Sequence, residues 1–455
     1  MESESNRMFG EEKISRLLLK FSIPVIISLL VSELYNMVDT LFVGRYVGDL
    51  SIGGLVMVFP IQRIIIALSI MFGIGTSTSF SRANGRKDFK RSKAVLENGF
   101  SLTIIVMASL TVLVLAFRQP ILSFLGASEE IMPYAMDYLS IVILGSSFLS
   151  LTTFTSHVML SLGNSSISII ATSLGALLNI VIDYILVVKA GMGVRGAAIA
   201  TTGSQIVGFL YAYSHLRRVR KQFGLRGLAL EKKVALPLIL VGISSFIIEA
   251  EDGIVMAFIN NLLVEAGGDR AIVVLGVVTK IYMFLFINMF GMASAMQPIA
   301  AYNYGARNYG RLKSVVRKTV VFGFLTTGFL WALGIFFTEP IVGLFIKDNP
   351  AIVADSVRAF RIMISLMPLI SIYYVSIFYF QAIGKARYSV TVSIFRQLIV
   401  MIPLAIYLVK GAGLGVMGVW ISYPISDVLS MILSSLLLYR ESKELDRAVA
   451  RESRQ

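Results

Sequence analysis

The sequence predicts an all-α membrane protein with twelve transmembrane helices in two six-helix lobes, related by a pseudo-two-fold axis along the membrane normal. Three observations lead there. Of 455 residues, 56% are hydrophobic and only 15% charged, against about 25% charged in ordinary globular usage, and mean hydropathy is +0.79. Nearly uncharged runs, as at 17–30, 101–117 and 362–380, recur along the chain at lengths that cross a bilayer. Short segments of the first half return in the second at nearly constant spacing. A soluble enzyme, a disordered scaffold and a nucleic-acid binder are excluded.

The spans follow in order, with ends uncertain by a few residues. α1 (17–42) comes after the polar opening MESESNRMFGEEK, which is not organised as a cleavable signal peptide. Its Pro24 is either a bend point or a start-of-helix proline. α2 (53–78) and α3 (96–117) flank a basic connection from Arg82 to Lys93. α4 (133–160) carries His157, read as a packed core residue. α5 (167–188) carries Asn179 and Asp183, and α6 (196–215) carries Thr201 and Thr202. α7 (235–263) holds Glu249, Glu251 and Asp252, and α8 (271–299) holds Lys280. α9 (315–337), α10 (355–382), α11 (389–409, with Arg396) and α12 (416–438, with Asp427) complete the set.

Charge then orients the chain. Lys and Arg number 41 for a net charge of +14, but they sit in short connections. The two termini and the even-numbered connections hold 29 of them, and the odd-numbered connections hold 7. That split places both termini in the cytoplasm of a plasma (cell inner) membrane. The expected domains are an N-terminal lobe at 1–215, a cytoplasmic linker at 216–234, a C-terminal lobe at 235–440 and a cytoplasmic tail at 441–455.

The halves repeat. Gly191-Met-Gly193-Val-Arg-Gly196 aligns with Gly413-Leu-Gly415-Val-Met-Gly418 at an offset of 222. The segment from Gly85 to Val95 aligns with Gly305 to Val315 at 220, and Leu162-Gly163 with Ile383-Gly384 at 221. Six spans per copy is an even number, so both copies have the same orientation, a common transporter plan. The GxGxxG spacing of both glycine loops matches a dinucleotide-binding turn, but no acidic residue follows to hold a ribose and both loops fall on the outer face. Close packing of helix pairs explains them better. No Walker lysine loop, HExxH or GxSxG is present, so no catalytic constellation is expected and energy must come from an ion gradient. With no cysteine and two histidines, thiolate and multi-histidine metal centres are excluded.

Ionisable groups inside hydrocarbon cost roughly 2.5–3.5 kcal/mol each, so each needs a partner or a task. Asn36 and Asp39 share one face of α1, with Glu33 nearby, and Asn179 and Asp183, four apart, share a face of α5. Thr201 and Thr202 lie on α6, which runs back along α5. Two carboxylates, amides and a hydroxyl are hard oxygen ligands suited to Na⁺ or to a shared proton. At the repeat offset Asp183 falls on Ala405 and Asn179 on Met401, so ion chemistry is expected in the first half. Glu251, Asp252 and Lys280 are second-lobe candidates, either for interhelical ion pairs or for a second site. Tyr35, Asn36, Gln62 and Thr202 are candidates to contact substrate.

Tyr35-Asn-Met-Val-Asp39-Thr-Leu-Phe-Val-Gly44-Arg-Tyr-Val-Gly48 resembles the first-helix signature of the multidrug and toxic compound extrusion (MATE) transporters. Leu178-Asn179-Ile-Val-Ile-Asp183 resembles their fifth-helix motif, and Gln381-Ala-Ile-Gly384-Lys-Ala-Arg387 the end of their tenth helix. One departure is Tyr184, where a proline commonly follows the fifth-helix aspartate. The resemblance covers about residues 10–440 and implies an antiporter exporting lipophilic organic cations against H⁺ or Na⁺. It implies that Asp39 links ion binding to bending of α1, and that Asn179, Asp183 and Thr201 complete a cation site. Tyr138 would be that pocket's tyrosine, and Glu251 or Asp252 the essential seventh-helix acid of one branch. The expected partners are toxic organic cations or drugs and the lipid bilayer, with no cofactor, no nucleic acid and a monomeric state. The rival reading is a lipid-linked oligosaccharide flippase of the same superfamily, which needs a cationic cleft and leans on Arg63, Lys280 and Arg396.

Overall fold

The computed structural model describes residues 8–47, 49–225, 227–345 and 349–452. Within them it describes the side chains of all but 35–37, 39–41, 44, 45, 49, 50, 52, 269 and 448–452. Every regular element among the described residues is helical. Besides two short helices, Arg118–Phe124 and Thr338–Gly343, the long ones are α1 Ile14–Tyr46, α2 Asp49–Gly85, α3 Phe89–Ala116, α4 Met132–Ser161 and α5 Ser166–Asp183. There follow α6 Gly193–Gln222, α7 Lys232–Gly268, α8 Arg270–Gly305 and α9 Tyr309–Phe336. α10 spans Pro350–Ala382, α11 Ala386–Gly411 and α12 Val416–Glu452.

Most helices outrun their apolar spans at the charged ends, because a helix that leaves the hydrocarbon keeps its own backbone hydrogen bonds. α2 continues to Gly85 with Arg82 in its last turn, and α6 to Gln222 with Arg220 and Lys221 in its last turn, where basic groups complement the exposed carbonyls. Eleven helices among the described residues are long and apolar enough to cross a membrane. The expected twelfth, α6, forms over 30 residues but lacks that apolarity, because Thr201, Ser204 and Gln205 are polar residues buried on its protein-facing side. Two interruptions have plain causes. Gly268 takes φ 59° where α7 turns into α8, and α10 passes through a 3₁₀ turn at Met367–Leu369, where Pro368 has no N–H to donate. Pro24 lies ten residues inside α1, so the start-of-helix reading is set aside.

The repeat seen in the letters is written into the backbone. Lys87 and Arg307 take φ 60° and 59°, the only non-glycine residues in the left-handed region among those described. Each is followed by an N-cap, Asp88 or Asn308, which accepts the backbone N–H of Arg91 or Arg311. Gly191 and Gly413 share φ 64°, and Gly193 and Gly415 take 59° and 54°. The Arg91 guanidinium donates to the carbonyl of Lys233, and that of Arg311 to the carbonyl of Glu12.

Two compact units result. Unit 1 is Met1–Phe9 with Ile27–Phe246, and unit 2 is Gly10–Ile26 with Ile247–Gln455. The chain thus changes unit inside α1, two residues after Pro24, and again 220 residues later inside α7. In unit 1 the α2–α7 crossing is very close. A Cβ on Gly75 would lie 2.3 Å from the Leu238 carbonyl oxygen, and one on Gly242 2.0 Å from that of Met71. The two contacts are reciprocal, each pairing a glycine with the residue four before the other glycine, a packing that small residues make possible.

Candidate functional site

In unit 1, α4, α5 and α6 build a buried polar cluster. Asn179 and Asp183, one turn apart on α5, are both 0% exposed, and Thr201 on α6 is 2% exposed. The Asn179 amide Nδ2 donates to Thr201 Oγ1 at 3.5 Å. Its Oδ1 takes no hydrogen bond among the described residues, and neither does Oε1 of Gln205, one turn beyond Thr201. Tyr138 on α4 is buried at 3%. Gly145 lets α4 approach α6, since a Cβ there would lie 2.5 Å from Gln205 Oε1.

Not every candidate joins this cluster. Thr202 donates to the Ile141 carbonyl at 3.1 Å and so helps tie α6 to α4. Gln62 is half-buried on α2. Tyr35, Asn36 and Asp39 lie on α1, and their side chains are outside the described residues. α1 does reach α5, however. Ser28 Oγ lies 2.9 Å from Thr172 Oγ1 and 3.3 Å from Ser168 Oγ. The departure at Tyr184 is accommodated locally: its N–H bonds to the Ile180 carbonyl, and a π-helical stretch, Tyr184–Lys189, follows Asp183 directly.

Unit 2 holds a second polar cluster, between α7, α11 and α12. Glu251 is buried at 2% and accepts the Ser393 hydroxyl on one oxygen, while its Oε2 has no hydrogen-bond partner among the described residues. Asp252 is exposed and accepts the Gln397 amide at 2.7 Å. Arg396 and Asp427, 3% and 4% exposed, form an ion pair at 2.9 Å, with the guanidinium 5.1 Å from the Tyr373 ring centroid. This buried ion pair therefore joins α11 to α12, Glu251 and Asp252 engage neutral donors of α11, and an exposed ion pair at 2.7 Å joins Glu265 of α7 to Lys410 of α11. Lys280 is exposed and makes no hydrogen bond to either acid among the described residues. Arg396 and Gln397 sit in a π-helical stretch, Phe395–Met401, the kind of insertion that re-aims side chains at functional sites. Ser393, Gln397 and Gln205 escaped the sequence reading, because neutral polar residues in an apolar run carry no charge signal. The one available hint was Gln205's four-residue spacing from Thr201.

Chemically, each cluster offers oxygen ligands and carboxylates in a water-poor interior, which suits a hard monovalent cation or a proton. Among the described residues no group of three or more His, Cys, Asp or Glu is placed to hold a metal ion.

The chain matches the MatE family model over residues 24–185 and 253–407. It is 26% identical to the multidrug export protein MepA of Staphylococcus haemolyticus over 98% of this chain and 99% of the relative. MepA of Staphylococcus aureus is 26% identical, with 96% of each chain covered. A multidrug resistance MATE transporter solved in an outward-facing conformation superposes with a TM-score of 0.91 at 26% identity, covering 98% and 99% of the two chains. A transporter from Pyrococcus furiosus, described as having a binding pocket of reversed polarity, gives 0.90 at 26% identity, covering 97% and 99%.

Proposed function

The chain belongs to the MatE family, and on that premise we propose that it is a secondary active multidrug efflux antiporter exporting lipophilic organic cations in exchange for H⁺ or Na⁺. It is an integral, multi-pass membrane protein; a cytoplasmic location for both termini and a monomeric state belong to the proposal.

One observation carries the coupling site. α1 and α5 touch at Ser28 and Thr172, and both are odd-numbered, so they run in the same direction. Eleven residues further along each helix come Asp39 and Asp183. Eleven residues are about three helical turns, so both positions return to the touching faces at about the same depth. In this reading Asp39 and Asp183 share a site with Asn179 and Thr201, and Gln205 adds an oxygen to its wall. Exchange requires that ion and cargo oppose one another. With both carboxylates ionised the protein holds the organic cation; protons or Na⁺ ions entering from outside neutralise the pair and release the cargo; the ions then leave to the cytosol. Tyr35, Asn36, Gln62 and Tyr138 would contact the cargo. Glu251, buried beside Ser393, is better placed than Asp252 for a second ion-binding step.

The flippase reading is less well supported, because Arg396, one of its three cations, is already neutralised by Asp427. The deciding experiment is ethidium export from proteoliposomes with pH and Na⁺ gradients imposed separately. Asp39→Asn and Asp183→Asn should each lower gradient-driven export at least tenfold. Full coupled export by Asp39→Asn overturns the proposal.

A further inference from the structure

A groove of about 960 Å³ runs along the first turns of α1 beside the start of α9, within unit 2. Its rim is cationic: Lys13 immediately precedes α1, Arg16 and Lys20 come from the first turns of α1, and Arg311 and Lys318 come from α9. Glu11 and Glu12 also line it, so the five bases outnumber the acids. Two contacts fix the helices around it. Arg311 donates to the Glu12 carbonyl, and Lys318 Nζ reaches Ser15 Oγ at 3.4 Å.

The lining changes character along α1. Arg16, Lys20 and Ile23 follow one another at four and three residues on a single helix face. Leu19 and Ile23 are 49% and 51% exposed. The ten residues from Lys13 to Ile23 rise about 15 Å, enough to pass from the headgroup region into hydrocarbon. A charged rim that continues into an exposed apolar wall at this depth fits an amphiphile with an anionic head. A free anion would use the rim alone.

We infer that this groove binds an anionic phospholipid, with the phosphate at Lys13, Arg16 and Lys318 and the acyl chains along Leu19 and Ile23. Phosphatidylglycerol is the probe. The full chain in detergent micelles is titrated with it, and with phosphatidylcholine and inorganic phosphate in parallel, binding being read by native mass spectrometry and by thermal stability. Phosphatidylglycerol should bind saturably and raise the unfolding temperature. Each basic residue removed should weaken it about fivefold, so Lys13→Gln/Arg16→Gln/Lys318→Gln should bind on the order of a hundredfold more weakly. Arg217→Gln/Arg218→Gln/Lys221→Gln, which removes the same charge elsewhere, should stay within about threefold of the parent. The inference fails if the first variant keeps parental affinity or if phosphatidylcholine binds equally well. It also fails if inorganic phosphate alone saturates the same site.

Discussion

Ser28 Oγ on α1 and Thr172 Oγ1 on α5 lie 2.9 Å apart, joining helices 144 residues apart in sequence. The chain has no cysteine, so the double variant Ser28→Cys/Thr172→Cys provides a clean test of this contact. Side chains this close fall within disulfide range. Mild oxidation should cross-link most of the protein, seen as a linked peptide pair by mass spectrometry. No cross-link would remove the contact from which the Asp39–Asp183 register is counted.

The Arg396–Asp427 pair is buried on both sides. Arg396→Met alone leaves Asp427 as an uncompensated charge and should cost about 3–5 kcal/mol, whereas the double change Arg396→Met/Asp427→Leu should recover most of that loss. Thermal unfolding of the two variants and the parent decides. A double variant no more stable than the single would mean that the pair is not acting as an isolated unit.

Gly242 and Gly253 separate packing from propensity within one helix. A Cβ on Gly242 meets the Met71 carbonyl at 2.0 Å, whereas one on Gly253 meets nothing within 4 Å. Gly242→Ala should therefore destabilise by about 1–3 kcal/mol through overpacking. Gly253→Ala should be neutral or stabilise by up to about 1 kcal/mol through helix propensity. Equal melting temperatures for the two variants would contradict the close α2–α7 crossing.

Lys385, in the connection before α11, binds both Glu441 and Glu444 of α12, the second at 2.8 Å. Burial works against its charge, but the hydrogen bonds and negative charges of the two glutamates prevail and raise its pKa above the ordinary lysine value. A raised folded-state pKa gives stability that is complete below the unfolded value of about 10.4 and is lost as pH rises through the folded one. Limited trypsin digestion at Arg440 and Lys443 should therefore be flat in its Lys385 dependence from about pH 7 to 9. Lys385→Met should speed cleavage severalfold across that window.

What could be read from the letters was whatever hydrophobicity and charge encode. The apolar spans located the helices, and the Gly85 and Gly305 segments located turns that share one backbone conformation at Lys87 and Arg307. A hydropathy window stops where lysine and arginine begin, whereas α6 continues to Gln222. Adjacent Glu251 and Asp252 were indistinguishable in sequence, yet consecutive positions lie about 100° apart around a helix, and one is buried while the other is exposed. Ser393, a neutral residue in an apolar run, carries no charge signal, and the π-helical stretch at Phe395–Met401 shifts the register by which Gln397 would be counted.

The interlocked glycines of α2 and α7 bear on whether either half of this molecule could stand by itself. The first turns of α7 belong to the unit built from the earlier helices, and the first turns of α1 to the other. Severing the polypeptide at 222–231 would thus leave each fragment holding a portion that completes its sibling.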